Sequence, residues 1–321
     1  MSLARRPTIK DVAKAAGVTY PTVSRVLSGK PYVALETQKR VMQAISELGY
    51  RPSAAARSMV TQRTHLIAML VPHLTDPNFG ILFSGAERQA RALGYSVLVA
   101  DFDSAADNGG ILAEHRVDGV LVLEPQNFRA KEYQTQLPLV ELDDVPMDHR
   151  AGGCLVARHL LELGHTKVVF VGGPSAAPHA TGRYAGLLEH FPDSPWHAGD
   201  WTVESGFGLL QAALEHQPSA LFAANDYIAL GLLHGLRDRG LRVPEDISLV
   251  GFDDIPLARH FSPALTTVQQ PLEQQGARAA ALLIAKLGGL PVPPIQMISP
   301  QLILRESTAP NLQRRSALKK I

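Results

Sequence analysis

Cysteine is nearly absent: Cys154 stands alone in 321 residues. That excludes an internal disulfide and any cysteine-ligated zinc cluster. No apolar run approaches the roughly 20 residues that a membrane-spanning helix needs. Aromatic residues are scarce at 6%, yet hydrophobic residues reach 45% against 19% charged, the balance of a soluble globular chain with a sizeable core. Met1 to Thr8 carries Arg5 and Arg6 with no apolar stretch behind them, so no secretory signal is expected and the expected location is cytoplasmic. Catalytic signatures are missing as well. There is no P-loop, no G-x-G-x-x-G, no G-x-S-x-G and no H-E-x-x-H, and the twelve histidines do not fall at metal-ligand spacing. Neither an enzyme, nor a cofactor, nor a metal is expected.

What is present is a polarised charge distribution. The net charge of +1 hides eleven Lys/Arg against three acids in residues 1–64, a net −11 in 65–310, and four bases without acids in 311–321. A basic head on an acidic body suits a phosphate-backbone partner for the head, or else a merely solvated charged face. The local pattern decides between them. Thr8 caps a helix in which Ile9, Val12, Ala13 and Ala16 recur at helical spacing, with Asp11 placed for a capping box and Gly17 as the stop. A second helix starts at Tyr20 with Thr19 as its cap and Pro21 in the first turn, where the missing N–H is harmless. Its buried stripe reads Val23, Val26, Leu27, leaving Tyr20, Pro21, Ser24 and Arg25 outward. A third helix, 36–48, turns Val41, Ala44, Ile45 and Leu48 inward. Two short helices joined at a glycine turn form a helix-turn-helix.

Beyond residue 65 the pattern becomes βα alternation. Strands are expected at 66–72, 96–101, 119–124, 139–143, 167–172, 220–224 and 247–252, and helices near 79–93, 150–163, 181–190, 204–216, 226–239 and 271–287. Continuously hydrophobic strands signal parallel sheets covered on both faces. Two successive sets suggest two Rossmann-like lobes with a ligand at the carboxyl ends of the strands, in the cleft between them.

The strings TIKDVAKAAGVTYPTVSRVLSGK (8–30) and ELGYRPSAAARSM (47–59) resemble the headpiece of the LacI/GalR family of bacterial regulators. The resemblance continues in order through RHLLELGH (158–165), FAANDYIALG (222–231), LRVPEDISLVGFDDIPLA (241–258), LTTVQQP (265–271) and LILREST (302–308), so it covers nearly the whole chain. It implies an all-α helix-turn-helix headpiece (1–52), a hinge helix and linker (53–64), a periplasmic-binding-protein-like α/β core of two lobes (65–310) and a basic tail (311–321). It also implies a lobe crossing near 164–167 with return near 268–271. By the same resemblance the chain is expected to be a transcriptional repressor that binds a pseudo-palindromic operator as a homodimer; the tail 311–321 is too short for a lasting coiled coil, so no tetramerising helix is expected.

The resemblance assigns DNA contacts to Thr8, Tyr20, Pro21, Thr22, Ser24 and Arg25, and in the hinge to Ser53, Ala56, Arg57 and Met59. Arg25 matches the position that reads a base edge, where a guanidinium takes guanine O6 and N7 together; a phosphate contact is the alternative. Pro21 has no hydrogen-bonding side chain and is expected to read by shape and exclusion. The hinge, Pro52 to Met59, is alanine-rich but only two turns long, so it should order only when something orders it. Met59 stands at the position of a minor-groove wedge, and a plain linker is the other reading. Ala34 replaces the usual serine cap before the third helix, and Gln38 stands where a basic residue is common; both should weaken backbone contacts.

Effector contacts fall by resemblance on Arg183, Asn225, Asp253 and Gln270, with Trp201 and Phe79 as flat apolar walls. His73, Asn78 and His179 sit on pocket-facing loops. Asn225 and Asp226 also read as caps of the helix that follows, with Asp226 the expected cap, and Asp253 also reads as a turn residue. Hydroxyl-binding groups beside an aromatic wall point to a sugar, sugar acid or polyol as effector, with a purine as the other class. The segments 103–116 and 190–199 are shorter than the family pattern, which leaves dimer geometry and pocket shape open. An exported ligand-binding protein would lack residues 1–60; an architectural DNA binder would lack an effector pocket.

Overall fold

The computed structural model describes residues 7–27, 33–50, 63–71, 77–101, 108–123, 137–291 and 297–311. It divides into two compact units, Met1–His65 and Leu66–Ile321.

The first unit contains α1 (Ile9–Ala15), α2 (Tyr20–Leu27) and α3 (Leu35–Leu48). Thr8 starts α1 with both arms of a capping box: its backbone N–H donates to Asp11 Oδ2 at 2.8 Å, and the Asp11 N–H donates back to Thr8 Oγ1. Gly17 takes the left-handed conformation that the turn to α2 requires, with φ +62°. Val12, Ala13, Ala16, Val23, Val41 and Ala44 form the core, flanked by Ile9, Val18, Val26, Ile45 and Tyr50. Leu27 and Leu48 depart from the expected stripe, each 36% exposed. Each is the last residue of its helix, one turn past the deepest contact, so helical spacing alone does not bury it. α3 begins at Ala34 without a side-chain cap, and Gln38 Nε2 donates to the Val33 carbonyl at 3.1 Å.

The second unit is built on two sheets. Strands β1 (Leu66–Val71), β2 (Ser96–Asp101), β3 (Gly119–Val122) and β4 (Leu139–Glu141) pair in parallel in the order β2-β1-β3-β4. Strands β5 (Val168–Val171), β6 (Trp196–His197), β7 (Ala220–Ala223), β8 (Ser248–Asp253), β9 (Thr266–Gln269) and β10 (Gln301–Ile303) form the second, in the order β10-β9-β8-β7-β5-β6, with β10 antiparallel. Central strands β3, β5, β7 and β8 are buried along their whole length, as parallel strands covered on both faces must be. Three short strands, β6, β9 and β10, escape the sequence pattern. β9 does so because Thr266 and Thr267 break the continuous apolar run, yet both are fully buried with their hydroxyls bonded: Thr266 Oγ1 accepts from the Arg305 N–H at 2.9 Å, and Thr267 Oγ1 donates to Asp226 at 2.5 Å.

The covering helices are α4 (Pro77–Ala92), α5 (Asn108–His115), α6 (His149–Glu162), α7 (Pro178–Leu188), α8 (Val203–Glu215), α9 (Asp226–Asp238) and α10 (Leu272–Gly288). The expected crossing at 164–167 is corrected by α6. Its Val156, Ala157 and Leu160 share one core with β5, β7 and β8, so the chain has already entered the second lobe before residue 149. Gly164, at φ +77°, lies in the turn from α6 into β5. The return after β9 holds as expected: Leu272, Ala279, Ala280 and Leu283 of α10 belong to the first-lobe core. A third crossing follows. Ile298 is buried in the first lobe and bridges Met147 in parallel, and β10 then joins the second sheet. α4 and α10 meet almost backbone to backbone: a Cβ added at Gly276 would lie 2.0 Å from the Leu82 carbonyl oxygen.

Candidate nucleic-acid interface and ligand cleft

On α2, Tyr20 (57% exposed), Pro21 and Arg25 are exposed, while Thr22 and Ser24 are half-buried. Pro21 and Arg25 lie one turn apart on the same face. The Thr22 and Thr19 hydroxyls lie 3.1 Å apart, closing the first turn. Thr8 is half-buried and its hydroxyl is engaged with Asp11 at 2.7 Å. Ser53, Ala56, Arg57 and Met59 fall outside the described residues, as does His73.

The cleft is organised around the end of β8. Asp253 and Asp254 take positive φ, +113° and +55°, a conformation that side chains adopt at a cost and that clusters at functional sites. Asp253 is 5% exposed and collects three donors. Asn78 Nδ2, from the first lobe, donates to Oδ2 at 2.8 Å; Gln270 Nε2 donates to Oδ1; Arg183 lies 3.5 Å away. Burial raises the Asp253 carboxyl above its ordinary range, and Arg183, Asn78 and Gln270 act in the opposite direction. Asp254 is fixed outside this group by Arg305 at 2.5 Å and Gln269 at 2.9 Å.

Arg183, on α7, is 4% exposed. Its guanidinium carbon stands 3.9 Å from the Phe252 ring centroid and 5.6 Å from that of Trp201, and one terminal nitrogen donates to the Ala224 carbonyl. Burial pushes its pKa down while Asp253 and Asp226 hold it up. Trp201 is half-buried, and its carbonyl accepts from Asn225 Nδ2 at 3.1 Å.

The expected cap is corrected here. Asn225, not Asp226, caps α9: its Oδ1 accepts from the Ile228 N–H at 2.8 Å. Asp226 is the first helical residue, fully buried, accepting from Thr267 Oγ1 and from the Ile255 N–H at 2.9 Å. A carboxylate taken out of water next to Asp253 has its pKa raised well above the usual range by burial first and Asp253 second. The side chain belongs to the β7–β9 scaffold, one layer behind the cleft.

The structure thus gathers Arg183, Trp201, Asn225, Asp253 and Gln270 around one point. Phe79 instead packs half-buried on the first-lobe core, 5.7 Å from the Phe83 ring. Asn78 has a larger role than its loop position suggests, because it ties the first lobe to Asp253. His149 is new: the first residue of α6, with its ring 4.7 Å from His179 and 6.2 Å from Phe252. Asp148 accepting from the Ala151 N–H as a helix cap is the sequence signal that places it. A cavity of about 410 Å³ opens at the opposite end of the second sheet, beside Lys167, His190, Ser194 and His216, and takes in none of the predicted residues. Among the described residues no group of three His, Cys, Asp or Glu could hold a metal, and no helix is long and apolar enough to cross a membrane.

Comparison with known proteins places this geometry. Residues 8–53 match the family of bacterial regulatory proteins described as the lacI family, and residues 157–308 match a periplasmic binding protein-like domain. The chain is 37% identical over 306 residues to the HTH-type transcriptional repressor PurR of Aliivibrio salmonicida, covering 87% of this chain and 92% of that one. It is 35% identical over 321 residues to the ribose operon repressor of Halalkalibacterium halodurans, covering 94% and 97%. Among solved structures it resembles the lac repressor dimer bound to operator and the anti-inducer ONPF, with a TM-score of 0.80, 28% identity and coverage of 95% and 100%. It also resembles the transcriptional regulator CelR in complex with cellobiose, with a TM-score of 0.68, 30% identity and coverage of 94% and 100%. The chain belongs to the LacI/GalR family of bacterial transcriptional regulators, with a DNA-binding helix-turn-helix headpiece and a periplasmic-binding-protein-like, effector-binding core.

Proposed function

We propose that this protein is a repressor that grips a pseudo-palindromic operator as a dimer and releases or tightens that grip when a polyhydroxylated small molecule enters the cleft at Asp253. The reading is carried by one observation: Asp253 of the second lobe accepts from Asn78 of the first at 2.8 Å, in the same carboxylate that pairs with Arg183. A ligand that competes for this carboxylate alters the contact between the lobes, and differential affinity for two lobe arrangements is what allosteric coupling requires. Amides, a carboxylate and a guanidinium beside the Trp201 plane suit a sugar or related polyol. The cellobiose complex of CelR and the ribose-bound LacI family regulator of Enterococcus faecium favour the same class.

In this reading α2 lies in the major groove, Arg25 reads a base edge and Pro21 excludes alternatives, with the segment 53–59 as the coupling element between DNA and core. Selection of bound DNA from a random pool with the full chain, followed by calorimetry with ribose and cellobiose, tests it. A dimer without preference for any sequence over random competitor at moderate salt would sink the regulator mechanism. Ligands that bind without changing operator affinity would reduce the core to a passive binding module.

A further inference from the structure

His149 opens α6 directly after the chain has crossed into the second lobe beside Ile298. Its Nδ1 is buried, and no described residue offers it a hydrogen bond; the same holds for Nε of Arg183. Both groups lie against one ring, with the guanidinium carbon 3.9 Å and the imidazole centroid 6.2 Å from the centre of Phe252, and His179 closes the far side of His149 at 4.7 Å. The terminal nitrogens of Arg183 are already directed at the Ala224 carbonyl and at Asp253. Its Nε–H therefore remains as a buried donor, and Arg183 shares the Phe252 ring with the buried imidazole nitrogen of His149.

The chemistry of the two groups restricts what satisfies both. A guanidinium N–H only donates. Burial first, then Arg183 and His179, pushes His149 down to about 2, so the ring is neutral at physiological pH. The positive guanidinium favours the tautomer that keeps a lone pair on the buried nitrogen, so Nδ1 accepts. One atom able to accept from Arg183 and donate to His149 is a hydroxyl oxygen. A carboxylate accepts from Arg183 but has no proton for His149. Resting on the cleft reading above, we infer that His149 is a specificity-determining residue of the effector site: together with Arg183 Nε–H it recognises a hydroxyl and selects a neutral polyhydroxylated ligand over its carboxylate counterpart.

Calorimetry of the full chain with D-ribose and D-glucose, against D-ribonate and D-gluconate, tests this directly. An aldose is expected to bind at least about tenfold more tightly than its aldonate, and His149→Phe to weaken the aldose by about ten- to hundredfold, the range for leaving a buried partner unmatched. His149→Asn, which retains an acceptor oxygen, is expected to lose less than His149→Phe, and thermal unfolding of both variants checks that the core is intact. Tighter binding of an aldonate overturns the inference. So does an aldose affinity unmoved in both variants; if Asp253→Asn still abolishes binding in that case, the cleft reading survives alone. Binding of none of the four compounds, or binding indifferent to Asp253→Asn, removes the cleft reading and the inference with it.

Discussion

Asn225 is asked to do two things at once, and replacing it separates them. Its Oδ1 caps α9 by accepting from the Ile228 N–H at 2.8 Å, and its Nδ2 donates to the Trp201 carbonyl at 3.1 Å. Asn225→Ala deletes both. Loss of an N-cap costs about 1 kcal/mol, and loss of the buried amide-to-carbonyl bond roughly another 1 kcal/mol. For a unit of this size each kcal/mol lowers the melting temperature by roughly 2–4 °C, so the expected fall is about 4–8 °C. Asn225→Ser keeps a capping oxygen but does not reach Trp201, and should lose about half as much. Urea unfolding followed by tryptophan fluorescence reads this well, because both tryptophans, Trp196 and Trp201, lie in the second lobe. Parent-like unfolding of Asn225→Ala, or a serine variant as damaged as the alanine one, would refute the assignment of the cap to this residue and leave only a ligand role.

Four further outcomes are expected. Gly276→Ala forces a methyl against the Leu82 carbonyl and should destabilise by at least about 1–3 kcal/mol, whereas Gly80→Ala, with open space around it, should be neutral or stabilising in thermal melts; equal melts would contradict the close α4–α10 packing. Burial keeps the Asp226 carboxyl protonated to well above its ordinary range, so the native state holds a proton that the unfolded chain releases near pH 4. That contribution to stability is complete below about pH 4 and is lost as pH rises towards the native pKa; Asp226→Asn should therefore gain on the parent between pH 4 and 8 in denaturant midpoints, and parallel pH curves would refute it. Arg25→Ala should weaken the selected operator by about 1–3 kcal/mol and relax the preference at one position of each half-site, while a uniform loss across all sequences would make Arg25 a phosphate contact. Pro21→Gln should shift base preference near one end of each half-site in a repeated selection, and an unchanged profile would show that Pro21 reads nothing.

The parts legible in the sequence were those whose cause is local. Thr8, Asp11 and Gly17 announce the first helix because a capping box and a left-handed stop act within a few residues. The alternating strands announce the two sheets because burial on both faces leaves a continuous apolar run. The crossing between lobes lies earlier than the resemblance implies, and no local pattern marks it, because it depends on which sheet covers α6, a contact between residues far apart in the chain. From sequence alone the oxygens of Asp226 fit a cap; Thr267 and the Ile255 N–H, some 30 to 40 residues away, claim them instead. Asp148 signals where α6 starts, but the surroundings of His149 are not legible for the same reason. Its setting is made by His179 and Phe252, which reach it from α7 and β8.

The interleaved path of the chain also constrains how this protein comes into being. Strands β1 to β4 leave the ribosome early, but α10, which covers their apolar face, emerges only after the whole second sheet up to β9 has been made. A nascent chain stopped near residue 150 carries a sheet with one side covered by α4 alone, and one stopped near 270 still lacks the α10 half of that cover together with β10. Neither lobe is completed by a continuous stretch of chain, so a stop codon between about residues 150 and 270 leaves exposed sheet, a substrate for chaperones and proteases rather than a smaller working sensor.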